Sequence, residues 1–276
     1  MGLTGALVIA LQCGRRSAGG SPLPIAPVTT AIILAAGIGH RLGNAGDRPK
    51  ILLEFAGESL LARHLAALEA HGVREVSITV GHQMDLVAAA VARVRWGGRI
   101  TLVENPRYRE GSLVSLAVQA ARLRSGEPLL LMDGDVLYDP RMIGALLAAP
   151  GESSLLVDRD IEPGDEPVKL CFRDGRIVDF RKKPEHAHEW FGESVGFFRF
   201  SAAMAAALAD RCEAYVAAGR GDLEYEEAIR DLILAAPERF DAADISALPW
   251  IEIDFEEDVA RARRDILPQL GPAAAA

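Results

Sequence analysis

Between Ala31 and Lys50 an apolar run breaks into a loop with glycines at Gly37, Gly39 and Gly43 and cations at Arg41, Arg48 and Lys50. Glycine backbones let successive N–H groups come close to a phosphate chain and form an anion nest. Arg41 and Lys50 are placed to neutralise a triphosphate and the charge that develops on it. Further on, the apolar run Leu129–Met132 ends in Asp133 and Asp135, which flank Gly134. Carboxylates at the carboxyl end of a parallel strand sit where open α/β sheets bind ligands. Mg²⁺ prefers such hard oxygens, completed by phosphate oxygens and water. Asp254 closes a third apolar stretch, Trp250–Ile253. Asp254 and Glu257 also fit a helix-start pattern, a structural role worth about 1 kcal/mol.

Two other phosphate loops fail on spacing. A dinucleotide fingerprint needs a glycine where Leu42 stands, and no Gly-Lys-Ser/Thr follows at the Walker A distance. A plain glycine-rich turn would explain the glycines but leaves Arg41 and Lys50 without a reason.

The elements that must carry these residues alternate. Thr30–Ala36, Glu75–Val80, Arg99–Val103 and Pro128–Met132 read as strands, separated by helices over Glu58–Gly72, Met84–Val94 and Ser112–Leu123. Asp139 and Pro140 open the next helix as N-cap and first residue. That rhythm predicts an α/β fold, a Rossmann-like, mainly parallel sheet flanked by helices. After Pro150 it changes. Ser153–Val157, Val168–Arg173, Arg176–Arg181 and Ser194–Phe200 read as strands, with Asp174-Gly175 a hairpin turn. Helices follow over Ala202–Ala217 and Leu223–Leu234, then the strand Trp250–Ile253 and a closing helix Glu256–Ile266. One domain over 28–270 is expected, with a nucleotide half at 28–150 and an acceptor half at 151–270. Residues 1–27 read as a flexible leader and 271–276 as a disordered tail.

Composition narrows the class. The chain has 276 residues, 50% of them hydrophobic and 25% charged, with a formal net charge of −9. That charge argues against a nucleic-acid partner and requires a local basic cluster for any polyanion. Cys13, Cys171 and Cys212 form neither a disulfide framework nor a zinc spacing, which favours a cytoplasmic protein. Gly5–Leu11 is too short to span a bilayer and lacks a basic flank, so no membrane association is expected. His40, His82, His186 and His188 show no metal-site spacing.

The segment Leu-Ala-Ala-Gly-Ile-Gly-His-Arg-Leu42, followed by Arg-Pro-Lys50-Ile-Leu-Leu-Glu-Phe, resembles the signature of the nucleotidyltransferases that make nucleotide sugars, CDP-choline and related compounds. The resemblance extends from about Val28 to Leu270. It implies a nucleotide cradled by Ala35, Ala36, Gly37 and Gly39, with Arg41 and Lys50 as the catalytic cations on its phosphates. It also implies Asp135 and Asp254 as ligands of Mg²⁺, with Asp133 beside the nucleotide. Gly81-His-Gln-Met84 and Asn105-Pro-Arg-Tyr108, continuing to Ser-Leu-Val-Ser-Leu116, look most like the cytidylyltransferase branch and bring Gly81 and Ser112 to the nucleotide. Glu110-Gly-Ser112 departs from the Asn-rich form of that branch.

On the acceptor side, Arg181-Lys-Lys-Pro184 resembles a Glu-Lys-Pro segment and implies Lys183 as the cation on the acceptor phosphate. Lys182 stands where Glu is usual. Trp190, Phe191 and Tyr225 offer aromatic faces and Glu193 and Glu224 negative charge, a combination that can hold an amino or choline-like group and equally well a packed core. The branch implies transfer of CMP from CTP to phosphocholine, 2-aminoethylphosphonate or inositol phosphate, with release of pyrophosphate. A sugar-1-phosphate nucleotidyltransferase using UTP, GTP or dTTP is the alternative enzyme, and a silent nucleotide-binding regulator the alternative of another class. The assembly is left between a monomer and a homodimer.

Overall fold

The computed structural model describes residues 27–39, 41–42, 48–161 and 167–270. The expectations for residues 1–26 and 271–276, and for His40 and Gly43, lie outside the described residues. Strand β1 (Thr30–Ala35) enters the glycine loop, which closes in a 3-10 turn at Lys50–Leu52. A short hairpin, β2 (Glu54–Phe55) and β3 (Glu58–Ser59), leads into helix α1 (Leu60–Ala70), where the Ser59 hydroxyl accepts the N–H of Ala62. Next come β4 (Glu75–Val80), α2 (Met84–Val91), β5 (Arg99–Glu104), α3 (Ser112–Ala117) and α4 (Ala120–Leu123). Then follow β6 (Leu129–Asp133), β7 (Val136–Tyr138) and α5 (Arg141–Ala148).

The second half contains β8 (Ser153–Asp158), the hairpin β9 (Lys169–Arg173) and β10 (Arg176–Arg181), and the long β11 (Trp190–Phe200). Helices α6 (Ala202–Ala217) and α7 (Tyr225–Ala235) precede β12 (Phe240–Asp244), β13 (Trp250–Glu252) and α8 (Glu256–Arg261).

Strands β6, β1, β4 and β5 lie side by side in parallel, and β11 continues the sheet antiparallel to β6. The early residues of β11 pair with β9, its later ones with β8, and β12 joins β8 in parallel. Side chains alternate across a strand, and here both faces are covered. Leu129 and Leu131 enter one core with Ile32, Phe198, Leu208 and Ile229. Leu130 and Met132 enter the other with Ile33, Leu65, Ile143 and Phe197. Burial on both faces is why β1 and β6 read as unbroken apolar runs rather than as alternating ones.

The chain leaves β1 toward β4 and returns across it to β6. The β1–β6 boundary is therefore the topological switch point, and the crevice beyond it is where such sheets bind ligands.

Three expectations need correction. The Trp250–Ile253 stretch does form a strand, but outside the main sheet: β13 pairs antiparallel with β7, a three-residue strand too short for its pattern to stand out in the sequence. The helix expected over Ser112–Leu123 is split near Gln119, whose buried side chain instead accepts from Ser77 Oγ and donates to Thr79 Oγ1 on β4. Strand β12 was not expected, because Phe-Asp-Ala-Ala-Asp is poor in β-branched residues. Asp139 behaves as expected, its carboxylate accepting the backbone N–H of Arg141 at 2.9 Å.

Candidate active site

The site is assembled by turns at the carboxyl ends of β1 and β6. Gly134 crosses against β1 by donating its N–H to Leu34 O at 2.9 Å, which carries Asp133 and Asp135 over the end of the sheet. Buried His64 supports this turn from α1. Its Nε2 lies 3.2 Å from Gly134 O, and a carbonyl only accepts, so Nε2 carries the proton. Burial pushes the His64 pKa down to about 4, which keeps the ring neutral for that task.

Asp254 arrives from the far end of the chain. Pairing of Glu252 with Val136 and the bond from Ile253 N–H to Asp135 O at 3.0 Å lock β13 beside the Asp135 turn. A small apolar core beneath it, including Leu42, Phe55, Leu137, Ile251 and Ile253, ties the glycine loop to the same unit. Gly39, at φ 66°, takes a backbone conformation that a side chain would strain, and Lys50 Cγ packs 3.3 Å from where its Cβ would be.

Lys50 sits at the centre. Its Nζ donates to Asp135 Oδ2 at 2.9 Å and to Asp254 Oδ1 at 2.6 Å, while Arg41 donates to Asp254 Oδ2 at 3.1 Å. Burial alone would lower the Lys50 pKa, but Asp135 and Asp254 outweigh it and hold the ammonium charged well above its ordinary range. Burial likewise opposes ionisation of Asp254, yet Lys50 and Arg41 keep its carboxyl below the usual value. Arg41 also lies over the Phe255 ring, 4.7 Å from its centroid.

Carboxylate oxygens of Asp135, Glu252 and Asp254 lie within 4.8 Å of one another. Loss of hydration and the neighbouring charges of Asp135 and Asp254 push the Glu252 pKa well up, the mark of carboxylates brought close together. A hard divalent cation fits this donor set. Sequence reasoning missed Glu252. Its signal was present, because residues two apart on a strand share a face and Glu252 precedes Asp254 by two.

The cleft has two adjoining lobes of about 280 Å³ each. Ala35, Gly37, Gly39, Arg41, Lys50, Tyr108, Asp135 and Asp254 line the first. Ala36, Ser112, Asp133, Lys182, Ser194, Gly196, Glu224, Tyr225, Glu226 and Glu252 line the second, which Gly37, Arg41, Asp135 and Asp254 share. Gly81 stands just behind the wall, where an added Cβ would meet Tyr108 Cβ at 2.5 Å and Ala36 O at 2.9 Å.

Several residues expected together are not. Asp133 faces the second lobe rather than the glycine loop, its Oδ2 accepting from Tyr225 Oη at 2.7 Å. Trp190 is absent from the walls of both lobes; it stacks on Phe172 with centroids 3.9 Å apart, and Arg159 covers it at 4.5 Å. Glu193 sits in the strand ladder opposite Asp158 and Lys169, while its neighbour Ser194 reaches the cleft. Lys182, not Lys183, lines the second lobe; both border an adjoining depression with Arg181, Glu224 and Glu227. The alternation of side chains along β11 explains the shift from Glu193 to Ser194, whereas Lys182 and Lys183 stand in the bend after β10.

Among the described residues no helix is long and apolar enough to cross a membrane. Compared with known proteins, the chain is 30% identical over 250 residues to a CMP-5'-(3-aminopropyl)phosphonate synthase of Streptomyces rubellomurinus, covering 87% of this chain and 39% of that protein. It is 30% identical over 241 residues to a bifunctional IPC transferase and DIPP synthase of Rubrobacter xylanophilus, covering 86% of this chain and 52% of that one. The chain thus spans about half the length, or less, of these curated relatives. Among solved structures, the inositol-1-phosphate CTP transferase from T. maritima superposes with a TM-score of 0.74 at 20% identity, covering 91% of this chain and 100% of that one, and so shares the mixed, helix-flanked sheet. The family model of the MobA-like NTP transferase domain matches residues 31–190, and the chain belongs to that family.

Proposed function

We propose that this chain is a cytidylyltransferase, transferring CMP from CTP to a small phosphorylated or phosphonylated acceptor. The observation that carries the reading is the convergence of Lys50, Asp135 and Asp254 beneath the glycine loop at the switch point of the sheet. A basic group wedged between carboxylates, next to backbone suited to phosphates, serves nucleotidyl transfer better than simple nucleotide storage.

An acceptor phosphate or phosphonate oxygen attacks the α-phosphorus in line. A P–O bond forms there as the α–β bridging P–O bond breaks, and pyrophosphate leaves with the electron pair. The attacking oxygen is already ionised, so the site needs no general base. Arg41 and Lys50 hold and neutralise the triphosphate, and the loop over Ala35, Ala36, Gly37 and Gly39 follows its phosphates. The Gly81–Tyr108 contact shapes the nucleotide wall, while Ser112, whose hydroxyl accepts the Tyr225 N–H, stands in the second lobe. Mg²⁺ held by Asp135, Glu252 and Asp254 would supply charge neutralisation on the reacting phosphate. The second lobe, with Lys182 and Tyr225, receives the acceptor, and orientation of the two reactants provides much of the rate.

CTP is favoured by the relative named for a CMP-linked phosphonate, the most extensive of the sequence likenesses described above. A pyrophosphate-release panel tests the reading by crossing CTP, UTP, GTP and dTTP with phosphocholine, 2-aminoethylphosphonate, inositol-1-phosphate and glucose-1-phosphate. Turnover with CTP and a phosphate or phosphonate acceptor is expected. Turnover confined to glucose-1-phosphate with another nucleotide would make it a sugar-phosphate enzyme, and none at all would favour a silent regulator.

A further inference from the structure

The first lobe must take a triphosphate in a protein whose formal net charge is −9, so a surplus of positive charge has to be found locally. Arg41 and Lys50 do not supply one. Both donate to Asp254, and Lys50 to Asp135 as well, so these cations are matched by carboxylates on the same wall. Glu110 also lines the lobe, and Arg107 matches it, donating from Nε and Nη2 to its two oxygens at 2.7 and 2.6 Å.

Among the described residues of that wall, Arg109 is the charge left over. Its guanidinium lies 5.2 Å from the centroid of the Tyr108 ring, and it has no acidic partner among the described residues. Stacking on a ring engages the face of a guanidinium and leaves the N–H donors at its edge uncommitted. The turn that carries it is anchored from several sides. Buried Asn105 donates to Ser115 Oγ at 3.0 Å and accepts the N–H of Arg107 at 2.9 Å. Glu110 donates its N–H to Arg107 O, and Gly111 donates to Gly221 O, each at 3.0 Å. Tyr108 packs so close to Gly81 that a side chain there would collide with it. Arg109 is exposed, yet its backbone is fixed beside the lobe.

We propose that Arg109 is a further phosphate-binding cation, forking onto the outer phosphates of the triphosphate and holding them as the pyrophosphate leaves. This deepens the nucleotidyl-transfer reading and rests on it. Arg109 comes from the turn between β5 and α3, across the lobe's wall from the glycine loop. Lys50 and Arg41 stand at Asp135 and Asp254, where the α-phosphate reacts, which leaves the outer phosphates to Arg109. A planar guanidinium suits them, because it can give two parallel N–H bonds to phosphate oxygens. The acceptor is not its ligand, since Arg109 lines the first lobe and not the second. A base or ribose would give it acceptor atoms but leave its charge unanswered.

The test measures calorimetric binding of CTP and of CMP to the full chain, as wild type, Arg109→Ala and Arg109→Lys, with melting temperature as fold control. R109A should weaken CTP binding by about tenfold or more, the usual loss for a charge-assisted hydrogen bond, and change CMP binding by less than about twofold. R109K should recover part of the loss, because it restores the charge without the fork. Unchanged CTP affinity in R109A, or an equal loss for CTP and CMP, would overturn the proposal, the second by placing Arg109 on the base or ribose. Either result leaves nucleotidyl transfer standing, because that reading is judged by pyrophosphate release from the wild type. A wild-type chain that neither binds CTP nor releases pyrophosphate from any nucleotide would remove both.

Discussion

Asp258 Oδ2 accepts the backbone N–H of Asp254 at 3.0 Å, and that of Phe255 at 2.7 Å. The carboxylate that ties off the start of α8 is therefore Asp258, and the Asp254 carboxylate is left to face Lys50 and Arg41. Two roles that compete for one residue in the sequence are divided between two residues in the fold.

Lys50 is the cation between Asp135 and Asp254, so its removal leaves Arg41 as the remaining cation paired with Asp254. Lys50→Ala should lower turnover by roughly 10²–10³-fold, the usual cost of losing one major electrostatic contact to a transition state. Steady-state rates on a variant shown to be folded by circular dichroism check this. Turnover near wild type would take Lys50 out of the triphosphate site.

Lys182 lines the second lobe and Lys183 does not, although both border the adjoining depression. Lys182→Ala should raise the acceptor KM about tenfold or more, in keeping with a charged hydrogen bond worth about 1.5–3 kcal/mol, and Lys183→Ala should do so less. Titrating acceptor at saturating CTP measures both. A larger effect at Lys183 would restore the register expected from the sequence.

Gly196 adopts φ 77°, and a Cβ there would fall 2.0 Å from Asp133 Oδ2. Gly196→Ala should displace Asp133 from Tyr225 and weaken acceptor use, with a backbone penalty of roughly 1–3 kcal/mol. Thermal melting and acceptor kinetics together read the two effects. An alanine variant with normal acceptor kinetics would show that Asp133 is not held by this contact.

Asp179 on β10 is fully buried and binds Arg230 of α7 at 2.6 Å as well as the backbone N–H groups of Glu185 and His186 at 2.7 and 2.9 Å. It thereby fastens the segment after Lys182 and Lys183 to the helix that carries Tyr225 and Glu226. Burial opposes its ionisation, but Arg230 and these N–H groups outweigh burial and hold the carboxyl well below the usual range. A depressed carboxylate contributes stability that is present above the ordinary pKa near 4 and is lost as pH falls below it. Asp179→Asn should cost roughly 3–5 kcal/mol at pH 7, because it removes the buried anion of Arg230 and leaves the exposed Glu185 as its hydrogen-bonded carboxylate. The gap between the two proteins should narrow as pH falls below about 4. Denaturant unfolding at several pH values measures it, and a constant gap would contradict the assignment.

Much of this was legible in the sequence where the signal was local. Strand β10 and helix α6 have the expected limits because a hairpin turn and a Ser201 cap mark their ends. The residues brought to the first lobe, from Ala35 to Lys50, follow one another in the chain, so the motif could carry them together. The second lobe is drawn from β6, β11, β13, α7 and the Lys182 segment, and no single stretch encodes that meeting. Trp190, Glu193 and Lys183 were misplaced for that reason: residue type suggested a role, but the register of β11 and the bend after β10 decide which neighbour faces the cleft.

The central claim is that acids from β6 and β13 form one reacting site with the glycine loop, and Asp254→Asn tests it most directly. Asn keeps the shape of Asp and loses the charge that faces Lys50, Arg41 and a divalent cation. The cap on α8 should survive, because Asp258 makes it. Pyrophosphate release from CTP, measured at low Mg²⁺ with the melting temperature as control, should fall by at least about 10²-fold in a folded protein. Raising Mg²⁺ should recover part of that loss by mass action. A folded Asp254→Asn enzyme with wild-type turnover at low Mg²⁺ would contradict the account, because Asp135 and Lys50 would then be acting without the third residue that completes the site.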